Sequence, residues 1–588
     1  MGVATLGLVR AGTVEDLRQR GCLVVAAEGQ TLAVFMDGGR IYAVDNRCPH
    51  MGFPLSKGSV RAGILTCHWH HARFDMASGG TFDPWADDVR VFPVRVEDGV
   101  IWVDPNGAPK DWAAYWRGRL RDGLEQDLNL ISIKAILSLL DLGVSPAEIL
   151  AAGADFGARY RAQGWGQGLT IMTALANILP ALAADDRPLA LYHGLVRVAE
   201  DSAGRAPRFD LDPLPKAADG APVSLDRLKT WLRGFVEVRD AEGAERALRS
   251  ALAQGASSAQ ASDMLLAAAT DHVYIDVGHP VDFINKAFEL LELIGWSQAD
   301  AVLPSLIGGI ARARRSEEMN AWRHPIDLIG LMDDALAAAP SEQATAGWRG
   351  FDALVETLLA DDPAAALTAL NAALGDGATY VDLAQAVAYA AALRVARFHT
   401  SNEFSDWDTV LHSFTYANAV HQSMRRLPSP DLLRGVYHGA MSVYLDRFLN
   451  TPAARLPDER SVRDLPRDAE ALLAELLNRM DRQQQVNPAG AVVFRYLSLG
   501  HPPARLLAAL GHALLREDTL FHTYQMLEAG YRQYAGLATA RPDLAPQVLV
   551  AVARYLAAHS PTARAMLQTA RIATRLHRGD DLTSEADV

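Results

Sequence analysis

The sequence predicts a multidomain protein in which a small all-β antiparallel domain precedes a large all-α helical-repeat domain. Up to about residue 106, short apolar segments alternate with Gly and Asp turns, which is typical of strands joined by hairpins. From about residue 126 to 580 the chain is rich in Ala and Leu, with helical periodicity and almost no strand pattern. A chain of 588 residues is also too long for a single hydrophobic core.

The first predicted domain, residues 1–106, contains several strand candidates separated by turn residues. Asp37-Gly38-Gly39 is typical of a tight hairpin turn, and Asp98-Gly99 marks a later turn. The predicted strands are Cys22–Ala27, Thr31–Met36, Ile41–Val44, Ile64–Thr66, Val89–Val96 and Val100–Val103.

Two short boxes of cysteine and histidine lie at the ends of predicted strands. Cys48-Pro49-His50 is followed, after sixteen residues, by Cys67-His68-Trp69-His70. Two such boxes form a suitable ligand set for a pair of irons. Thiolates bind one ferric iron tightly, whereas neutral imidazoles leave the other iron less negative and raise the reduction potential. A zinc site or a chance cluster is the alternative, but zinc sites rarely have the flanking strands predicted here.

Over roughly residues 7–104 the chain resembles the Rieske ferredoxin and oxygenase family. The resemblance rests on the two boxes, on Gly52 and on Arg73-Phe74-Asp75. It implies a [2Fe–2S] cluster in which two thiolates hold one iron and two imidazoles hold the other. The ligands that it implies are Cys48, His50, Cys67 and His70. The second nitrogen of each imidazole would face solvent or a partner.

The second box departs from the usual pattern of this family at two positions. His68 stands where Pro is usual, and His71 stands where Gly is usual. We expect both side chains to be exposed imidazoles, although a ligand swap to either is open. His71 leaves the local backbone in doubt, because Gly takes a positive φ there at little cost. We expect Leu55 and Trp69 to shield the cluster.

Composition excludes several function classes. A net charge of −14 and a pI of about 5.7 argue against nucleic acid as a partner. The longest apolar stretch, Leu169–Ala184, is interrupted by polar residues and proline, so no membrane span is predicted. Of three cysteines, the cluster would use two and Cys22 would be a small buried residue. The chain therefore lacks the extra cysteines of respiratory Rieske subunits, which favours a reducing cytoplasm.

Residues 107–125 are predicted to be a packed joint, because a turn-rich stretch is followed by Trp112, Trp116 and Arg119. The all-α domain, residues 126–580, begins with clear helix signals. Gly143 ends one helix and Ser145-Pro146-Ala147-Glu148 opens the next.

The all-α domain is predicted to contain about four degenerate repeats of about 120 residues, paired as a two-fold duplication. Helix-ending glycines recur at Gly143, Gly255, Gly377 and Gly500, which are 112, 122 and 123 residues apart. Each is followed by a second helix, a loop and a third helix.

Histidines fall at matching places in these repeats: His193, His279, His412, His438 and His522. One interpretation is that they are inherited packing residues. The other is that they converge with acidic residues and bind a non-haem iron, a di-metal centre or a substrate. Asp408 with His412, and Asp518 with His522, are four residues apart and can each point at one spot. The Glu-x-x-His pair of di-iron bundles is absent.

Two segments of the helical part, Tyr192–Asp201 and Leu411–Val420, resemble the questin oxidase-like family. Members of that family are helical proteins linked to NADPH-dependent oxygen insertion into aromatic ketones. The resemblance implies that the helical part is catalytic. No Gly-rich nucleotide motif follows a predicted strand, so no NADPH or flavin site is assigned.

Two functions remain as hypotheses. In the first, the chain is an oxidoreductase whose cluster passes single electrons to a redox site in the fused helical domain. An oxygenase is one form that such an enzyme could take. Its partners would be an electron donor (a reductase or ferredoxin) and a small-molecule substrate, and a second metal could lie in the helical domain. In the second, the chain is an electron carrier or redox sensor, and the helical array is a docking scaffold for a separate enzyme. A conventional Rieske oxygenase subunit is not supported, because its catalytic domain mixes sheet and helix.

Overall fold

The computed structural model describes residues 7–27, 29–216, 220–340, 348–403 and 405–580. Contacts divide the chain into two compact units. The first unit comprises Met1–Ser145 together with Gln568–Val588, and the second is Pro146–Leu567.

The first unit begins as a small antiparallel β fold, which confirms the predicted fold class of this part. Its strands are β1 (Val9–Thr13), β2 (Cys22–Ala27), β3 (Gln30–Asp37), β4 (Arg40–Asp45), β5 (Ser59–Arg61), β6 (Ile64–Thr66), β7 (Arg73–Asp75), β8 (Val91–Phe92), β9 (Val94–Glu97) and β10 (Val100–Val103). Its helices are α1 (Val14–Arg20), α2 (Trp112–Glu125) and α3 (Asn129–Asp141), joined by the last part of the C-terminal helix.

Three antiparallel sheets make up the β fold, in the orders β1-β10-β9, β2-β3-β4-β8 and β5-β6-β7. The β3–β4 hairpin turns at Gly38 and Gly39, whose φ angles of 56° and 79° suit the tight turn that the sequence predicted. The single predicted strand Val89–Val96 was wrong. It is divided between β8 and β9 at Pro93, which has no amide hydrogen for a ladder.

Helix α1 is an addition to the predicted all-β pattern. Thr13 accepts a hydrogen bond from the Asp16 amide, and the Asp16 carboxylate accepts one from the Thr13 amide, so a capping box starts the helix. Gly21 ends it in the left-handed conformation. Leu17 is the one buried side chain of this helix and packs in the core beneath β2 and β3.

Helices α2 and α3 hold the β fold through buried charges. Arg119 of α2 contacts Asp87 at 3.0 Å and donates to the carbonyl of Pro84 at 2.7 Å. Lys134 of α3 forms an ion pair with the other oxygen of Asp87 and donates to the carbonyl of Pro49. Since Pro49 separates Cys48 from His50, this network anchors the first cysteine–histidine box.

The C-terminal segment of the first unit also contacts that box. The Arg47 guanidinium donates to the carbonyl of Asp580 at 2.7 Å. A Cβ added to Gly52 would lie 3.3 Å from the side chain of Leu576. His577 contacts Asp141 of α3 at 2.6 Å. The part of the last helix from Gln568 onward therefore belongs to the same compact unit as the first sheet.

The second unit is helical, as predicted. Its helices are α4 (Pro146–Arg159), α5 (Gln167–Ile178), α6 (Arg187–Ser202), α7 (Leu225–Glu237), α8 (Ala241–Ala253), α9 (Ser258–Thr270), α10 (His279–Ile294), α11 (Ala299–Val302), α12 (Ile307–Arg312), α13 (Leu328–Ala337), α14 (Phe351–Leu358), α15 (Pro363–Gly375), α16 (Tyr380–Ala396), α17 (Asp406–Arg426), α18 (Pro430–Leu445), α19 (Ala469–Met480), α20 (Val486–Ser498), α21 (Pro503–Leu515), α22 (Phe521–Ala540), α23 (Ala545–Ala558) and α24 (Ala565–Arg578), the last of which continues into the first unit.

Four helices, one from each predicted repeat, form a ring inside the second unit. Helix α5 packs against α10 and α22, and α17 packs against the same two helices. The four helix-ending glycines of the predicted repeats all have a positive φ, between 73° and 95°. Both features suit a repeat, and the repeat itself stays a prediction.

Across the part of the chain that the structure describes, no helix combines the length and apolar character needed to cross a membrane.

The buried network of α2 and α3 gives a prediction. Replacing Lys134 with Ala should lower the free energy of unfolding of the first unit by about 3 kcal/mol, because it breaks a buried ion pair that Arg119 then compensates only in part. Urea denaturation, monitored by circular dichroism, measures this loss. The control is Arg121→Ala, whose pair with Glu125 is exposed and should be worth less than about 1 kcal/mol. Equal losses in the two variants would contradict the anchoring role of Lys134.

Candidate functional sites

The first cysteine–histidine box lies on a loop that leaves β4. The amide of Cys48 donates to the carbonyl of Phe53 at 2.9 Å, and the amide of Gly52 donates back to the carbonyl of Cys48 at 2.7 Å. Gly52 has a φ of 81°, which Gly adopts without strain. These bonds close the loop on itself, so Cys48 and His50 are held at its tip.

The second box lies on the turn between β6 and β7. The amide of Cys67 donates to the carbonyl of Ala72 at 2.8 Å, which closes the turn. His71 has a φ of 64°. The position thus keeps the left-handed conformation that glycine usually supplies, and a side chain there costs about 1–2 kcal/mol.

The two loops bring two buried thiols together. Cys48 is 2% exposed and Cys67 is 1% exposed. Each sulfur hydrogen-bonds the other, and the amides of Trp69 and His70 also donate to the sulfur of Cys67. The hydrogen bond from Cys48 is the main cause that lowers the pKa of Cys67 to about 6. The same hydrogen bond, together with burial, raises the pKa of Cys48, so one thiol of the pair loses its proton more easily than the other.

Two imidazoles lie beside the thiols. The rings of His50 and His70 are 4.9 Å apart, centre to centre, and nearly perpendicular. The Nδ1 atom of His50 is buried and has no hydrogen-bond partner in the described part of the chain. Burial, followed by the charges of His70 and Lys134, lowers the pKa of His50 to about 4, so its ring stays neutral. An unpaired buried nitrogen and two thiols fit the donor set of a [2Fe–2S] cluster.

The side chains around these four residues correspond partly to expectation. Leu55 is fully buried in the same core as both cysteines. Trp69 is 40% exposed and lies 4.5 Å from the His70 ring. Sequence reasoning missed Trp85, whose ring is 4.7 Å from His50. His68, His70 and His71 are exposed, so the predicted ligand His70 has an edge open to solvent.

A second cluster of imidazoles lies in the second unit, within the ring of four helices. His279 is the first residue of α10, His412 lies in the second turn of α17, and His522 is the second residue of α22. One ring nitrogen of each lies within 4.8 Å of those of the other two. All three rings keep partial exposure. The structure thus brings together three of the five histidines that the repeat pattern singled out.

Hydrogen bonds order this histidine cluster. The Nε2 atoms of His412 and His522 are 2.9 Å apart. The Nδ1 atom of His522 lies 3.3 Å from a carboxylate oxygen of Asp408, and Tyr555 donates to the other oxygen at 2.7 Å. Burial would raise the pKa of Asp408, but the hydrogen bonds of His522 and Tyr555 outweigh it and lower that pKa to about 2.

Burial also sets the charge of two members of the cluster. It lowers the pKa of His279 to about 3, with smaller contributions from His412 and His522. It lowers the pKa of His412 to about 4, with a contribution from His522. Both imidazoles are therefore neutral near pH 7, which is the form that binds a metal ion.

The other two singled-out histidines lie elsewhere. The Nδ1 atom of His193 contacts the hydroxyl of Tyr524 at 2.8 Å, and that of His438 lies 3.4 Å from the hydroxyl of Tyr416. Both rings are buried, as packing residues are.

The two predicted acidic pairs have different outcomes. Asp408 and His412 both contact His522, so this pair points at one spot as predicted, although the carboxylate bonds a histidine of another helix. Asp518 accepts hydrogen bonds from the amides of Ala565 and Met566, so it caps α24 rather than pairing with His522. Spacing along a helix showed which side chains share a face but not which neighbouring helix that face meets.

The backbone before His279 is strained. Tyr274, Asp276 and Val277 have φ angles of 40°, 42° and 52°, and a β-branched residue such as Val rarely adopts a positive φ. Gly278 follows with a φ of 93°, and a Cβ there would lie 2.7 Å from the ring of Tyr416. Strain of this kind costs about 1–3 kcal/mol per residue and concentrates at functional sites. Here it fixes the start of α10.

A buried charged network occupies the same faces of α10 and α22 further along. Lys286 is 1% exposed and contacts Glu289 at 3.1 Å and Glu528 at 3.0 Å. Asn177 of α5 donates to both carboxylates. The interior of the ring is therefore polar, which the Ala- and Leu-rich sequence did not indicate.

The buried thiols and the two imidazoles on paired loops of a small antiparallel β fold define a Rieske-type iron–sulfur domain. Residues 7–93 match the family described as Rieske [2Fe-2S] domain. Through this N-terminal part the chain belongs to that family, as its sequence predicted.

Similar proteins agree with this assignment. The chain is 30% identical over 101 residues to the ferredoxin component of the naphthalene 1,2-dioxygenase system of Pseudomonas putida. This match covers 17% of this chain and 97% of the ferredoxin. It is 36% identical over 110 residues to Oxidoreductase NdmD of Pseudomonas putida, covering 16% of this chain and 19% of that one. It is 37% identical over 89 residues to 4beta-methylsterol monooxygenase of Methylococcus capsulatus, covering 13% and 24%.

Among solved structures, the ferredoxin of carbazole 1,9a-dioxygenase from Nocardioides aromaticivorans is 29% identical, with a TM-score of 0.16. This match covers 17% of the present chain and 98% of the carbazole dioxygenase ferredoxin. The chain thus spans nearly all of the ferredoxins but only about a fifth of the oxidoreductase and a quarter of the monooxygenase.

The identity of the histidine ligands gives a prediction. His70→Ala should abolish the Rieske-type EPR signal, because an imidazole nitrogen of the iron pair is lost. His68→Ala, its matched control two residues away, should leave the signal unchanged. A lost signal in the control variant and a retained one in His70→Ala would mean that the ligand register is misassigned.

The conformation of His71 gives another prediction. His71→Gly should raise the free energy of unfolding of the first unit by about 1 kcal/mol, because Gly takes a φ near 64° without strain. His71→Val should lower it by at least as much, since a β-branched side chain resists that conformation. Urea denaturation of reconstituted protein provides both values. The same stability in both variants would contradict a left-handed residue 71.

Proposed function

We propose that this chain is an oxidoreductase in which the Rieske domain supplies single electrons to a redox site in the fused helical unit. Cys48, Cys67, His50 and His70 would hold the [2Fe–2S] cluster, which when bound is a one-electron carrier. An external reductase or ferredoxin would be the electron donor, and the helical unit would act on a small molecule.

One observation carries this proposal. The histidine cluster of α10, α17 and α22 lies on the same polypeptide as the Rieske domain, and Asp408 contacts His522, one of its three imidazoles. A chain that contains both a cluster domain and a second metal-ligating group has the parts of a donor and an acceptor. Covalent linkage also gives the two units a high effective concentration for each other.

The residues of the Rieske domain contribute in distinct ways. Burial of the thiols keeps water from the sulfur atoms, and the amides of Trp69 and His70 would stabilise negative charge on Cys67. The exposed ring of His70 offers an edge at which a redox partner can approach. The network of Lys134 and Asp87 would hold the first loop in place while charge on the site changes.

The relatives support two versions of the proposal. Oxidoreductase NdmD and 4beta-methylsterol monooxygenase are named as enzymes, and their matches cover 16% and 13% of this chain. The ferredoxin components, which this chain spans almost entirely, favour the alternative of an electron carrier whose helical unit docks a separate enzyme.

Electron counting separates the two versions. In an anaerobic titration with dithionite, the full chain should take up a second electron beyond the one that the cluster accepts. His70→Ala protein, which lacks the Rieske signal, should still take up the electron of the helical site. A carrier would take up one electron in the full chain and none in the variant, and that result would overturn the proposal.

A further inference from the structure

The three imidazoles of His279, His412 and His522 occupy a position that packing alone does not explain. A buried histidine normally hydrogen-bonds a carbonyl or a hydroxyl, as His193 bonds the hydroxyl of Tyr524. Here ring nitrogens face one another, and the Nε2 atoms of His412 and His522 can share at most one proton at 2.9 Å. Such a group of lone pairs is stabilised by a cation at its centre.

Asp408 determines which nitrogen of His522 is available. Its carboxylate lies 3.3 Å from Nδ1, which favours the tautomer with the proton on that nitrogen and the lone pair of Nε2 directed toward His412. A carboxylate on the far nitrogen of a metal-bound histidine is the usual arrangement around metal ions, and it fixes both tautomer and ring orientation. Tyr555 in turn orients Asp408.

The spacing of two of the nitrogens suits a single metal ion. Two nitrogens bound side by side at about 2.1 Å from a metal lie about 3 Å apart, and the Nε2 atoms of His412 and His522 are 2.9 Å apart. The third nitrogen, from His279, is within 4.8 Å of both, so its ring would move slightly inward on binding, since two nitrogens of one ion are at most about 4.2 Å apart. The strained segment that ends at Gly278 fixes the start of α10, whose first residue is His279.

We infer that His279, His412 and His522 bind one iron ion, with Asp408 as a positioning residue for His522. Three imidazoles suit iron, copper and zinc, and they leave coordination positions open for a small molecule. This inference rests on the proposed function, because a one-electron donor needs an acceptor that changes oxidation state, which zinc does not. A ferric ion at this site would take one electron and become ferrous.

The aromatic surroundings suit such a site. Phe283 stacks on His279 with ring centres 5.6 Å apart, and Phe521 lies 5.6 Å from His279 and 5.0 Å from His522. His522 retains 21% exposure, so the centre is reachable from solvent. The proposed ligands are three histidines and not two histidines with one carboxylate. The carboxylate of Asp408 contacts a ring nitrogen of His522 and is therefore not counted as a ligand.

Metal analysis tests the inference on the full chain reconstituted anaerobically with ferrous iron and sulfide. We expect about three irons per chain, two from the [2Fe–2S] cluster and one at the histidines. His412→Ala and His522→Ala should each lose the third iron and keep the Rieske EPR signal. Asp408→Asn should weaken its retention against a chelator by about 10- to 100-fold. Circular dichroism checks that each variant is folded.

The control is His501→Ala, because His501 is a partly exposed histidine of the same unit whose ring contacts the carbonyl of Arg467. It should keep all the iron. Two irons in the full chain, a third iron that survives in His412→Ala and His522→Ala, or zinc in place of iron would each overturn the inference. These results are independent of electron counting. If the full chain takes up a second electron but contains no third iron, the proposed function stands and the iron site is refuted. If a third iron is present but takes up no electron, the iron site stands and the proposed function is refuted.

Discussion

Both candidate sites depend on imidazole rings that burial keeps uncharged. Desolvation is the main cause of the lowered pKa of His50 in the first unit and of His279 and His412 in the second. A neutral ring offers a lone pair, whereas a protonated ring repels a metal ion. The loops of the β fold and the helices of the ring are different scaffolds, yet each removes histidine from water and leaves one polar edge in reach of solvent.

The fold class of the cluster domain and its two cysteine–histidine boxes could be predicted from sequence because their pattern is local, whereas helix α1 and the break at Pro93 were not predicted. Each box places a cysteine and a histidine within three residues, and strands on either side complete the loop. His71 could not be settled from sequence, since its conformation depends on how the turn closes through Cys67 and Ala72. The turn imposes a positive φ whether or not the residue is glycine, and histidine tolerates it better than most side chains.

The histidine cluster could be predicted only in part, because its members are more than a hundred residues apart. Repeat positions singled out His279, His412 and His522, which the structure brings together, but they gave the same weight to His193 and His438. What separates the groups is which faces of α10, α17 and α22 meet inside the ring, and helix periodicity does not contain that information. Tyr555 and Lys286 were missed for the same reason, as each acts through a partner on a distant helix.

The C-terminal segment adds a constraint of timing. Residues from Gln568 onward share a compact unit with the first sheet, and Leu576 and Asp580 lie against the loop of Cys48. Synthesis proceeds from the N-terminus, so the ribosome releases the loop of Cys48 long before it has made the segment that contacts it. The contacts of Arg47 with Asp580 and of Gly52 with Leu576 can therefore form only after the whole helical unit has been translated. The first unit is completed last, although it contains the first strand.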